Sequence, residues 1–131
     1  MRILIVEDEP ANRLMIEECL KGRHQTASAE NGKDGLDLFR EGHRNRTPYD
    51  LVLLDIEMPV MDGQETLKAM RELESQLALP PGGEVKVLMI SAHGDQKNVC
   101  HAFFKGHASG YLVKPVSREN LLATIDELGV E

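Results

Sequence analysis

Apolar residues fall into several short runs along the chain, and each run closes on polar residues or turn formers. "ILIV" at 3–6, "LVLLD" at 51–55 and "VKVLMIS" at 85–91 are brief and rich in aliphatic residues, the pattern of strands covered on both faces. These predict the central strands of a sheet. Position predicts two weaker ones, "HQTASA" at 24–29 and "GYLV" at 110–113. Between the strands, helix-like stretches run over 11–21, 33–40, 63–77, 96–105 and 118–128. The last places Leu121, Ile125 and Leu128 on one apolar stripe. Asp62 followed three residues later by Glu65 resembles a capping box, and Asp95 and Ser117 read as caps of their helices.

Five strands alternating with five helices predict an α/β fold, because parallel strands need right-handed crossovers that place helices on both faces of the sheet. For the doubly wound, flavodoxin-like order 2-1-3-4-5, ligands bind outside the carboxyl ends of the first and third strands. The chemistry is therefore expected at 7–9 and 55–59. With 131 residues the chain is expected to form one domain, 1–131. A formal net charge of −7 offers no basic footprint for phosphate backbones or anionic lipids, so neither direct nucleic-acid nor membrane binding is expected. No apolar stretch has the roughly 20 residues of a membrane span, and "MRILIVEDEP" lacks the long apolar core of a signal peptide, so a cytoplasmic location is expected. Cys19 and Cys100 have no close metal-ligand spacing and are assigned to packing, and the five histidines to the surface.

The predicted crevice is where the unusual residues collect. The first strand ends in Glu7, Asp8 and Glu9, the third in Asp55 with Glu57 two residues on, the fourth in Ser91, and Lys114 follows the fifth. Two unit charges about 4 Å apart repel by about 4 kcal/mol at an effective dielectric of 20. A cluster of Glu7, Asp8 and Asp55 therefore calls for raised pKa values or a bound cation. Oxygen donors without His or Cys favour Mg²⁺, which takes carboxylates, waters and a phosphate together.

Taken in order, Glu7/Asp8, Asp55, "MPVMDG" at 58–63, Ser91 and "YLVKP" at 111–115 resemble the receiver domain of two-component response regulators over essentially the whole chain. The resemblance implies that Asp55 accepts a phosphoryl group from a phosphohistidine of a sensor histidine kinase or histidine phosphotransfer protein, switching a face read by a downstream protein. It implies Mg²⁺, or Mn²⁺ in its place, on Asp8, Asp55 and the backbone carbonyl of Glu57, with Glu7 acting through water. Lys114, Ser91 and the backbone amide of Ala92 would contact phosphoryl oxygens, Tyr111 would turn inward with Ser91, and the Lys114–Pro115 bond would be cis. Glu57 and His93 would flank the phosphoryl group and tune its lifetime, and a pairing of the two across the site is expected. The Glu-Asp pair where Asp-Asp is common, and Ser91 where Thr is common, both keep the needed oxygens. "EGHRNRTPYD" at 41–50 and "LALPPGGE" at 77–84 read as long loops. Two alternatives are a haloacid-dehalogenase-like phosphohydrolase, suggested by "DIE" at 55–57, and an interaction module that signals without phosphorylation.

Overall fold

Five parallel strands form one sheet: β1 (Arg2–Val6), β2 (Gln25–Ala29), β3 (Leu51–Asp55), β4 (Lys86–Ser91) and β5 (Gly110–Val113), in the spatial order β2-β1-β3-β4-β5. The computed structural model describes residues 1–58, 61–92 and 108–128. Helices α1 (Pro10–Leu20), α2 (Gly32–Arg44), α3 (Gly63–Ser75) and α4 (Arg118–Glu127) connect and flank the strands. The expectation of five helices is corrected here: the described residues hold four. The stretch 96–105, with its Asp95 cap, lies outside the described residues. The strand order is the expected one.

Alternation along the buried strands builds two cores, because successive side chains point to opposite faces of a sheet. Leu4, Val6, Val52, Leu54, Val87 and Met89 pack on one face with Phe39 of α2 and Leu67 and Met70 of α3. On the other face, Ile3, Ile5, Leu51, Leu53, Leu88 and Ile90 meet Ile16 and Leu20 of α1 and Leu121 and Ile125 of α4. Every residue of β3 is buried, as its unbroken apolar run requires. Glu7 and Asp55 continue the odd-numbered series Ile3, Ile5 and Leu51, Leu53. Both therefore emerge on the α1/α4 side of the sheet.

Local chemistry sets the helix boundaries. The capping box forms as predicted: the Glu65 backbone N–H donates to Asp62 Oδ1 at 2.9 Å and the Asp62 N–H to Glu65 Oε1 at 3.4 Å. Ser117 Oγ accepts from the Asn120 N–H at 3.1 Å and starts α4. Helix α2 runs four residues beyond its predicted end at Arg40, so 41–44 is helix rather than loop. Gly42 permits this by letting the helix lie against Tyr49: a Cβ there would sit 3.1 Å from the Thr47 carbonyl and 3.3 Å from the Tyr49 ring. His43 stacks edge-on to Phe39, ring centroids 5.0 Å apart, and is half-buried rather than a surface imidazole. Among the described residues, no helix is long and apolar enough to cross a membrane.

Candidate functional site

Strand register brings the chemistry to one edge. Val6 pairs with Leu54, Asp55 with Ile90 and Ser91 with Val113, so Glu7, Asp55, Ser91 and Lys114 leave their strands at neighbouring places. The Lys114 N–H donates to the Ser91 carbonyl at 2.7 Å and holds β5 to β4 where the ammonium turns in. The Ile56 N–H donates to the Ile90 carbonyl at 2.9 Å, and the Gly63 N–H to the Ile56 carbonyl at 2.9 Å, bringing Gly63 back to the end of β3. Any Cβ at Gly63 would collide with the Asp55 carbonyl, so this close return needs glycine. The Lys114–Pro115 bond is cis, as expected.

Asp55 is 2% exposed, and neither carboxylate oxygen accepts an aligned hydrogen bond from the described residues. Its Oδ1 has the Lys114 Nζ at 3.1 Å as an ion-pair partner, and the same ammonium lies 3.4 Å from Glu7 Oε1. Burial, reinforced by the Glu7 carboxylate beside it, raises the Asp55 pKa to about 8 against the opposing pull of Lys114. Burial also works against the Lys114 ammonium, yet Asp55 and Glu7 outweigh it and hold its pKa above the ordinary lysine value. Carboxylate oxygens of Glu7, Asp8 and Asp55 lie within 4.8 Å of one another. Oxygen-only donors with lone pairs left over, Glu7 and Asp55 buried and Asp8 half-buried, form a fitting seat for a hard divalent cation. The expected acidic cluster is assembled.

The remaining expected residues are placed less uniformly. Ser91 is fully buried, and Tyr111 is half-buried against the core that contains Met89, its register partner on β4. The expected pairing of Glu57 with His93 falls outside the described residues at His93. Among the described residues, the Glu57 carboxylate accepts from Ser91 Oγ at 2.6 Å and from the Ala92 N–H at 2.7 Å. Sequence reading did not anticipate this arrangement, although the two-residue offset of Glu57 from the end of β3 places it opposite the end of β4. It also missed Arg13, on α1, whose Nη1 donates to the Glu7 carbonyl at 2.8 Å and steadies the acidic turn.

Residues 3–126 match the family model of the response regulator receiver domain. The chain belongs to that family. This receiver domain is 35% identical to the chemotaxis protein CheY of Bacillus subtilis (strain 168) over 96% of this chain and 95% of that protein. It is 29% identical to hybrid signal transduction histidine kinase I of Dictyostelium discoideum, over 95% of this chain but only 7% of that much longer protein. Among solved structures, the CheX-CheY-BeF3-Mg²⁺ complex from Borrelia burgdorferi superposes with a TM-score of 0.83 at 26% identity, covering 100% of this chain and 90% of that one. The receiver domain is thus CheY-like, and its Glu7/Asp8/Asp55 cluster is of the kind that serves aspartyl-phosphate signalling.

Proposed function

We propose that residues 1–131 act as a single phosphoacceptor receiver domain in which Asp55 is the nucleophile. The carrying observation is the buried, under-bonded Asp55 carboxylate facing the Lys114 ammonium at 3.1 Å, with Glu7 and Asp8 beside it. In the transfer, an Asp55 oxygen bonds to phosphorus as the phosphorus–nitrogen bond of a phosphohistidine breaks, and the electron pair leaves with the imidazole. Lys114 draws the incoming anion toward Asp55 and takes up negative charge on one phosphoryl oxygen. Ser91 Oγ and the Ala92 N–H donate to the others, and Tyr111 follows Ser91 inward to alter the β4–β5 face. Asp8 and Asp55, the Glu57 carbonyl, and Glu7 through water would hold Mg²⁺ or Mn²⁺, which when bound screens the carboxylates and the phosphoryl charge.

The named relatives hybrid signal transduction histidine kinase I and sensor histidine kinase GacS support a histidine kinase or phosphotransfer protein as the donor. The output partner is a protein that reads the altered face. Intact-mass spectrometry after incubation with acetyl phosphate tests the reading. One added phosphoryl group is expected, requiring both Mg²⁺ and Asp55. An adduct that persists in Asp55→Asn, or no adduct with Mg²⁺ present, would refute it.

A further inference from the structure

The donors assigned to the phosphoryl group are already occupied. One carboxylate, that of Glu57, takes the Ser91 hydroxyl on Oε2 at 2.6 Å and the Ala92 N–H on Oε1 at 2.7 Å. Both distances are those of charge-assisted hydrogen bonds, in which an ionised acceptor shortens and strengthens the contact. Two oxygens on one anionic carbon thus bridge the donors as two oxygens on phosphorus would. Ser91 is fully buried and Glu57 half-buried, so bulk water competes weakly for the Ser91 bond, while the Ala92 end of the bridge is exposed. The contacts link the loop after β3 to the end of β4, the two elements that flank the phosphoryl position.

We propose that Glu57 is a built-in stand-in for the phosphoryl group, a positioning residue that holds Ser91 and Ala92 until phosphorylation displaces it. The proposal rests on the receiver reading above and gives the site a property of its own. A phosphoryl group brings about −1.5 to −2 charges and three acceptor oxygens, against the single charge and two oxygens of a carboxylate. It therefore displaces Glu57, but its gain is only the difference between the two anions. A ligand shifts a two-state protein only by its differential affinity for the states. Glu57 accordingly lowers the site's affinity for a phosphoryl-like anion and keeps Ser91 directed at an anion before any phosphoryl arrives. The backbone carbonyl of residue 57, which would face the cation, is untouched by changes to this side chain.

Beryllofluoride with saturating Mg²⁺ probes the site without a covalent step. Its dissociation constant is measured for the wild-type chain, Glu57→Ala and Glu57→Gln, alongside the Ala92 amide resonance in NMR spectra. Affinity is expected to rise about tenfold in Glu57→Ala, the scale of losing one charge-assisted competitor, with Glu57→Gln in between. The Ala92 amide proton is expected to lie at low field in the wild type with or without beryllofluoride. In Glu57→Ala it reaches low field only when beryllofluoride binds. Unchanged or weakened affinity in both variants, or an Ala92 resonance that ignores Glu57→Ala in the free protein, overturns the proposal. Tight binding that is indifferent to residue 57 defeats this inference alone. Failure of all three chains to bind beryllofluoride defeats the receiver reading as well.

Discussion

Glu74 and Asp55 are buried to nearly the same depth, 4% and 2% exposed, at opposite ends of the sheet, yet their surroundings differ completely. Near the start of β4, Glu74 Oε2 accepts the Val85 N–H at 2.6 Å and Oε1 accepts from Arg71 Nη1 at 2.7 Å. Arg71 also donates to the Val85 carbonyl at 2.9 Å, so the pair ties α3 to the entry of β4. At the exit of β3, Asp55 has an ion-pair partner but no aligned donor among the described residues. Burial alone therefore does not mark a working carboxylate. Unmet bonding capacity does, because a group kept buried without its bonds costs stability that only a later ligand repays.

The largest expected effect comes from breaking the satisfied end. Glu74→Leu strands the Val85 N–H and leaves the Arg71 guanidinium, whose side chain is 16% exposed, without its carboxylate. Loss of one member of such a pair should cost about 3 kcal/mol, seen as a fall in Tm of about 10 °C by calorimetry. The folded fraction should still accept a phosphoryl group. An unchanged Tm would show that Glu74 does not anchor the fold, and the contrast with Asp55 would lapse.

Relieving the unsatisfied end should do the opposite. Without divalent metal at pH 8 to 9, Asp55→Asn is expected to stabilise the chain by about 1 to 2 kcal/mol, because it removes a buried charge beside Glu7. Asp8→Asn should act in the same direction by less, its side chain being only half-buried. The pH dependence carries the sign. The Asp55 pKa is about 8 in the folded chain against 3.8 ordinarily, so between these values the folded state binds the extra proton. The stability it supplies is complete below pH 3.8 and is lost as pH rises through about 8. Denaturant melts across this window should slope downward for wild type and flatten in Asp55→Asn. A fall in stability for both Asn variants would mean that these carboxylates serve the fold.

What could be read from sequence follows the same division between pattern and contact. The runs at 3–6, 51–55 and 85–91 were short apolar stretches each closed by polar residues or turn formers, so the strands and the edge where Glu7, Asp8, Asp55, Ser91 and Lys114 gather were legible. The end of α2 was not, because Glu41 and Gly42 look like a stop when Gly42 in fact admits the Tyr49 ring. Glu74 also escaped notice: it shares the buried side of α3 with Leu67 and Met70, and while Arg71 lies three residues before it on the same helix, the Val85 N–H lies 11 residues on, at the entry of β4. Glu57 was assigned to the right neighbourhood, but its bonds to Ser91 and Ala92 were not foreseen, since a carboxylate two residues past a strand can reach several donors and spacing does not choose among them.

The smallest effect sharpens the comparison most directly, since it adds the ligand that the under-bonded end lacks. At a free Mg²⁺ concentration ten times its dissociation constant, a site present only in the folded chain stabilises it by about 1.4 kcal/mol. Protons compete for Asp55, so the Mg²⁺-induced rise in Tm should be greater at pH 8.5 than at pH 6. Asp55→Asn should lose most of that rise, and Glu74→Leu should keep all of it on its lower baseline. An equal rise in wild type and Asp55→Asn would place the cation away from the β3 edge and separate the unmet bonds of Asp55 from metal binding.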